Sequence, residues 1–296
     1  MRASQLDTEP KASSVAAIVF TYNENINLPL WLKHYGSQFG EEHLYIADRG
    51  SNDGSIDNIG KANLIRLPRN EFDEFEKTEF INSMHAALLN FYDAVIYTDC
   101  DEFLVPDPDK YSDLRHYIAE MPGDFVRAVG VDVLHVLNKE FPIDLTRPIL
   151  SQRRFGKFGS ASCKALISKV PLRWLPGFHS CNQKVPVDPE LTMFHLKFMD
   201  YNIAMQRQLI NIDTVWSERS LKQNFGQHHR WDIHTFVHNG FFVPTDVANR
   251  NAYGAFEFSA EIAAFESRSE LANGYWYIPM DIHKFVTIPD RFGVSL

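Results

Sequence analysis

Three short apolar runs in the first hundred residues each break off into polar side chains, and no other feature limits the fold as strongly. VAAIVF (15–20) leads into Thr21, Tyr22, Asn23 and Glu24, LYIA (44–47) into Asp48 and Arg49, and AVIY (94–97) into Thr98, Asp99, Cys100, Asp101 and Glu102. Runs of this length and composition suit strands buried on both faces. Between them lies NLPLWLKHYGSQFG (27–40), with Leu28, Trp31, Leu32 and Tyr35 at helical spacing and Gly36 or Gly40 to close it. A short strand, NLIRLP (63–68), follows, and then EFINSMHAALLNFY (79–92), where Phe80, Met84, Ala87, Leu88 and Phe91 keep a helical period. Alternation of this kind implies an α/β fold with a mostly parallel central sheet and helices on both faces. Right-handed crossovers then bring the three polar strand ends to one rim, where open α/β sheets bind ligands.

The third run carries the chemistry. Asp99, Asp101 and Glu102 place three carboxylates within four positions, and burying any of them unpaired is costly. A hard divalent cation, shared with substrate phosphates, is the natural partner; an acidic turn after a strand is the plainer alternative. Composition narrows the field. The chain has 296 residues, 45% of them hydrophobic and 23% charged, which fits a globular protein with ample core. A formal charge of -9 argues against a nucleic-acid surface. Cys100, Cys163 and Cys181 are scattered in neither a disulfide nor a zinc spacing. Residues 1–14 read as a loose polar leader without an apolar signal core. No run of about 18 apolar residues suits a transmembrane helix. The expected location is cytoplasmic, with a peripheral position at the inner face of a membrane also allowed.

Past Pro106 the alternation loosens. Residues 107–121 read as a helix, with Asp107-Pro108-Asp109 as its capped start. The segment 124–137, which contains Asp132, is strand-like. RRFGKFGSASCKALISK (153–169) reads as a basic loop over the cleft that ends in a strand. It either places Lys157 or Lys164 near phosphates or is simply solvated. LTMFHLKFMDYNIAMQRQLI (191–210) starts as a strand bearing His195 and Lys197 and becomes a helix capped near Asp200. From 213 to 296 the chain is rich in aromatics and histidine, with one helical run at 259–271.

VFTYNEN, IADRGSNDGS, the helix containing Asn82, and TDCDEFLVP occur in order with suitable gaps. As an ordered set, these pieces resemble the family 2 glycosyltransferases of the GT-A fold, in the branch whose aspartate motif reads D-x-D-E-F, here Asp99 to Phe103. FHLK (194–197) is similar to the histidine-bearing strand that closes such sites. The resemblance implies a GT-A-like domain over 15–212, with a nucleotide-binding half (15–106), an acceptor half (107–212) and a helical or irregular extension (213–296) packed on it. It implies transfer of a sugar from a UDP- or GDP-sugar to a glycan, lipid-linked or other hydroxyl acceptor, with inversion, as in polysaccharide biosynthesis. Thr21, Tyr22, Asn23 and Glu24 would cradle the nucleotide, and Asp48, beside Arg49, would contact the base. Asp99 would meet the ribose or the metal. Asp101 and His195 would hold Mn2+ or Mg2+, and Lys197 would contact phosphate.

Arg49 departs from the pattern, which commonly has a second aspartate there. For the carboxylate that takes the acceptor's proton, Asp132 and Glu102 are the candidates. His179 either lines the acceptor side or is a packed core histidine. Two other functions stay open on the same fold. One is a nucleotidyltransferase or sugar-phosphate pyrophosphorylase, although the usual glycine-rich loop after the first strand is missing. The other is a non-catalytic carbohydrate- or metal-binding protein, the latter using His228, His229, His234 and His238.

Overall fold

The computed structural model describes residues 14–296, so the leader expected at 1–14 falls outside it except for Ser14. The N-terminal half runs β1 (Val15–Thr21), α1 (Asn27–Phe39), β2 (Leu44–Asp48), β3 (Asn63–Arg66), α2 (Glu74–Leu88), β4 (Ala94–Asp99) and β5 (Glu102–Pro106). Then come α3 (Leu114–Glu120), β6 (Phe125–Leu134), β7 (Phe155–Gly159), β8 (Ile167–Ser168), β9 (Val187–Phe198) and α4 (Tyr201–Ile212). The remainder holds α5 (Glu218–Lys222), α6 (Ile233–Val237), α7 (Val243–Asn249), α8 (Ser259–Arg268), β10 (Glu270–Ala272), β11 (Tyr275–Tyr277) and β12 (His283–Thr287).

The fold is mixed α/β around one central sheet. Its main path runs β12-β7-β6-β8-β4-β1-β2-β3, and β9 pairs with both β5 and β6. The expected parallel alternation describes the first half, where β4, β1, β2 and β3 lie parallel. Beyond β4 the pairings are antiparallel, except that β6 and β9 run parallel. The register explains the shared rim: Thr21 lies beside Asp48, and Phe20 beside Asp99. β1 and β4 supply the apolar centre of the core, with Ala16, Ile18, Val95 and Ile96 fully buried.

Helix α1 positions the acidic turn from behind. Trp31 Nε1 donates to Thr98 Oγ1 at 2.7 Å. Tyr35 Oη donates to the Glu102 carbonyl and accepts from the Leu104 amide, both at 3.1 Å. Gly40, at φ 93°, closes α1 with its N–H on the Gly36 carbonyl, a conformation that suits a residue without Cβ.

Several sequence expectations need correction. α2 begins at Glu74 rather than 79, because the Asp73 carboxylate caps the amides of Phe75 and Glu76 inside a stretch that reads as plain acidic surface. α3 starts at Leu114 on an Asp113 cap, so Asp107-Pro108-Asp109 lies in the preceding turn. The basic segment 153–169 is not a loop throughout, since Phe155–Gly159 forms β7 between β6 and β12. Residues 213–296 are more than helical and irregular: β12 is an edge strand of the central sheet, and β10 and β11 form a separate hairpin. The cap at Asp200 is where the sequence places it, with its carboxylate accepting from Asn202 and Ile203.

Candidate active site

The carboxyl ends of β1, β2 and β4 meet two loops. Asn23, at φ 51°, ties the first loop to the second: its amide donates to Ser51 Oγ at 2.9 Å, and the Asn52 amide returns to Asn23 Oδ1 at 2.9 Å. Asp48 is fully buried; its Oδ1 accepts from the Ser51 amide, and its Oδ2 has no hydrogen-bond partner among the described residues, only the Arg66 guanidinium at 3.9 Å. Thr21 Oγ1, Ser55 Oγ and Arg49 Nε, all buried nearby in sequence, also lack one. Buried polar atoms without a partner are uncommon, and they recur here at two adjacent strand ends. The Arg69 guanidinium carbon stands 3.5 Å from the centre of the Tyr22 ring, and Arg49 packs over Phe72 at 4.7 Å.

The acidic turn splits into two charge systems. Asp99 accepts from Lys77 Nζ at 2.9 Å, Tyr97 Oη at 2.9 Å and Lys164 Nζ at 3.4 Å. Lys164 also binds Glu102 Oε1 at 2.5 Å, and Glu102 Oε2 accepts the Asp99 amide at 3.1 Å. Burial alone would raise the Asp99 pKa, but Lys77 and Lys164 hold it well below the carboxylate range. Lys164, buried yet flanked by Glu102 and Asp99, is correspondingly pushed up. Glu102 is thus a buried anchor for Lys164, and Asp99 sits in a clamp of two lysines.

The second system is a chain of three. Asp101 Oδ2 lies 3.3 Å from His195 Nε2, and His195 Nδ1 hydrogen-bonds Asp132 Oδ1 at 2.8 Å. The pairing of β5 with β9 puts Glu102 opposite His195, and that of β6 with β9 puts Asp132 opposite His195, which is why residues so distant in sequence meet. Burial would lower the histidine's pKa, but the two flanking carboxylates push it up to about 10, so it is an imidazolium at neutral pH. Asp101 and Asp132 are both held low by the same contacts, against the effect of their own burial. Lys197, two residues further along β9, is half-buried with its ammonium over Phe198 at 5.5 Å; burial lowers it to about 8.

A strap from the C-terminal part of the chain reaches the first strand end. Arg207 of α4 donates to the Tyr22 carbonyl at 3.0 Å and pairs with Glu24 at 2.8 Å. Burial pushes Glu24 up to about 7 despite this partner, helped by the nearby Asp101. Gln208 holds the strap's turn by donating to the carbonyls of His229 and Trp231. Sequence reasoning overlooked Lys77, Arg207 and the strap. Lys77 sits in an acidic stretch and Arg207 in an amphipathic helix, and no local pattern marks either. Lys157 lies in β7 beside Asp132 in register and is not among the Asp99 partners. His179 is held by its Nδ1 against the Ala161 carbonyl at 2.7 Å. Asn82 fixes the same region, exchanging hydrogen bonds with the Trp174 backbone.

Among the described residues, no three His, Cys, Asp or Glu side chains form a group that could by itself hold a metal ion. That applies to the histidines at 228, 229, 234 and 238 as well. The donor chemistry nevertheless fits a cation completed by substrate oxygens at Asp101 and His195. Asp132 on Nδ1 turns the His195 Nε2 toward Asp101, as a carboxylate orients a metal-bound histidine, and His195 would release its proton on ligation. Asp99 fits less well, because both its oxygens are engaged by lysines.

No helix among the described residues is long and apolar enough to cross a membrane. No protein-family model matches the chain, and no curated protein does. Solved structures similar to it include a mannosyltransferase from Pyrobaculum calidifontis in complex with GDP-Man and Mn2+, at 20% identity and a TM-score of 0.28 over 50% of this chain. The chain spans 44% of that protein's length. A CMP:2-keto-3-deoxy-manno-octonic acid synthetase complexed with CTP matches at 11% identity and a TM-score of 0.24, over 54% of this chain and 65% of that one. A mannose-1-phosphate geranyltransferase from Thermus thermophilus matches at 9% identity and a TM-score of 0.30, over 77% of this chain and 71% of that one.

Proposed function

We propose that the chain is a glycosyltransferase of the GT-A type that takes a sugar from a nucleoside-diphosphate sugar and passes it to an acceptor hydroxyl with inversion. One observation carries this reading. The Asp101–His195–Asp132 chain and four cations, Lys77, Lys164, Lys197 and Arg207, gather around the ends of parallel strands where buried polar atoms lack partners. A nucleoside diphosphate is the ligand class that uses both features: polar groups for its base and ribose, and positive charge for its phosphates.

In this reading Thr21 to Glu24, Asp48 and Arg49 face the nucleoside, and Lys197 and Arg207 face the diphosphate. A divalent cation at Asp101 and His195 would supply further charge neutralisation for the leaving group. The acceptor oxygen forms its bond to the anomeric carbon as the bond to the diphosphate breaks, and the acceptor's proton passes to a carboxylate. Asp132 takes that role in preference to Glu102, whose two oxygens are committed to Lys164 and the Asp99 amide. Lys164 and Lys77 keep Asp99 ionised and fixed, but with Glu102 these four side chains carry no net charge, so the positive charge for the leaving group would come from Lys197, Arg207 and the cation.

Incubation of the protein with UDP- and GDP-sugars and Mn2+ tests the reading through what is released. Slow hydrolysis yielding a nucleoside diphosphate is expected. Release of pyrophosphate from a nucleoside triphosphate and a sugar phosphate would instead make the chain a nucleotidyltransferase, and no turnover with any donor would leave a binding protein.

A further inference from the structure

The turn that precedes Cys181 holds its backbone in a conformation that its residues disfavour. Gly177 takes φ 86° and Phe178 φ 61°, and the left-handed region is rare for a bulky side chain. Strain of this kind persists only where the surroundings impose it, and it clusters at functional sites. The Phe178 ring is buried against Tyr97 at 4.3 Å and lies 5.4 Å from the Lys77 ammonium, and both of those side chains bind Asp99. The buried Arg127 of β6 donates from Nη1 to the carbonyls of His179 at 2.9 Å and Cys163 at 3.0 Å, which pins the turn to the segment that delivers Lys164. His179 Nδ1 makes a further tie to that segment at the Ala161 carbonyl, 2.7 Å away.

These ties decide what His179 offers a ligand. A carbonyl only accepts, so Nδ1 carries the proton, and the neutral ring presents a lone pair at Nε2. Burial first, and then the Lys164 ammonium, push the ring's pKa down to about 4, so it is neutral at neutral pH. Nε2 has no hydrogen-bond partner among the described residues and is open to solvent. Gly177 leaves it that room, since a Cβ there would stand 2.9 Å from His179 Cδ2 and 3.2 Å from Nε2. Lys164 and Asp99 of the acidic turn act on the ring, and it acts in turn on the exposed His228 of the strap. A lone pair in this position is no partner for phosphate or carboxylate oxygens, which also only accept. The Lys164 ammonium opposes a metal ion, and no group of His, Cys, Asp or Glu completes a ligand set among the described residues. A neutral hydroxyl is the ligand group that fits.

We propose that His179 is a sugar contact, its Nε2 accepting a hydrogen bond from a ring hydroxyl of the donor's sugar or of the acceptor; this role rests on the glycosyltransferase reading. The test variants are His179→Phe, which keeps a ring for packing but no acceptor, and His179→Gln, whose amide oxygen still accepts. Titration calorimetry of the full chain with Mn2+ compares UDP and GDP with UDP-glucose, UDP-N-acetylglucosamine and GDP-mannose. A second arm titrates free glucose, N-acetylglucosamine and mannose into the nucleotide-bound chain. His179→Phe should leave UDP or GDP affinity within about twofold. It should weaken the nucleotide-sugar roughly three- to tenfold if the hydroxyl is the donor's, or the free sugar by as much if it is the acceptor's, and His179→Gln should recover most of the loss. Unchanged sugar binding in both arms, an equal loss for UDP or GDP alone, or a loss that His179→Gln does not relieve would each overturn the assignment while leaving the glycosyltransferase reading in place. A parent chain that binds neither nucleotide would remove that reading, and the role of His179 with it.

Discussion

At the scale of single residues, the Lys164–Glu102 pair shows how much a buried charge depends on its partner. Both side chains are nearly inaccessible, at 9% and 2% exposure. Replacing Lys164 with Met would strand Glu102 and leave Asp99 with Lys77 and Tyr97, and removing one partner of such a pair costs about 3–5 kcal/mol. Urea denaturation should show a loss of that size for Lys164→Met, and the double variant with Glu102→Gln should recover a large part of it, since no charge is then left uncompensated. Asp132→Asn is a different case. The amide oxygen can still accept from His195 but the group cannot take a proton, so kcat should fall about 10²–10⁴-fold with nucleotide affinity nearly unchanged. A matching loss of affinity would make Asp132 a positioning residue for His195.

At the scale of elements, the strap formed by α4 and the turn after α5 is predicted to act on the donor side alone. Arg207→Ala removes the Glu24 pair and the bond to the Tyr22 carbonyl, both at a side chain that remains 28% exposed. Nucleoside-diphosphate affinity should drop about tenfold, while the melting temperature moves only slightly, as for most partly exposed substitutions. Gly130, by contrast, sits where β6 passes the 160–162 turn, and an added Cβ would stand 2.3 Å from the Ser162 carbonyl carbon. Gly130→Ala should therefore destabilise the fold by about 1–3 kcal/mol, as overpacking does, visible as a lower urea midpoint.

The legibility of the sequence divides along the same line. β1, β2 and β4 announce themselves because a doubly buried strand must be apolar throughout and its end must then turn polar. The α2 start hid in NEFDEFEKTE because its defining event is one carboxylate, Asp73, folding back on two amides. β7 read as a loop because Gly156, Lys157 and Gly159 break the alternation that a half-exposed strand shows. Gly156 is small because a Cβ there would meet the Val131 side chain at 2.8 Å, a constraint set by tertiary packing. Lys77 reaches the site from the helix just before β4 and Arg207 from one far along the chain, and only the folded sheet reveals that they converge.

At the scale of the whole molecule, acid should destabilise the protein in two steps. Burial pushes His85 down to about 4, and it pushes His34 down to about 4 against a hydrogen bond to the Leu104 carbonyl. Unfolded, both titrate near 6.5, so between about pH 6.5 and 4 the unfolded chain takes up protons that the folded chain refuses. Their stabilising effect is complete above about pH 6.5, declines as the pH falls, and stops declining below about 4; for the fully buried His85 it is on the order of 3 kcal/mol. Asp73 behaves oppositely in origin. Burial would raise it, but Arg219 and Ser217 hold it at about 2, so its contribution is lost only between roughly pH 4 and 2. Unfolding free energies measured from about pH 8 to 3 should show the first loss centred above about pH 4, and His85→Gln should flatten it. Glu24, raised by burial to about 7, contributes with the opposite sign over part of this window, so the decisive quantity is the parent's stability relative to that of His85→Gln, and a difference that stays level from about pH 6.5 to 4 would contradict the neutral, buried state of His85.

Affinity of the cleft for UDP or GDP, measured with and without Mn2+ in the parent chain and in Asp101→Ala, tests the nucleotide-sugar reading most directly. Binding that Mn2+ strengthens at least about tenfold in the parent, and that loses its Mn2+ dependence in Asp101→Ala, is the predicted result. Equal affinity in all four measurements would contradict it.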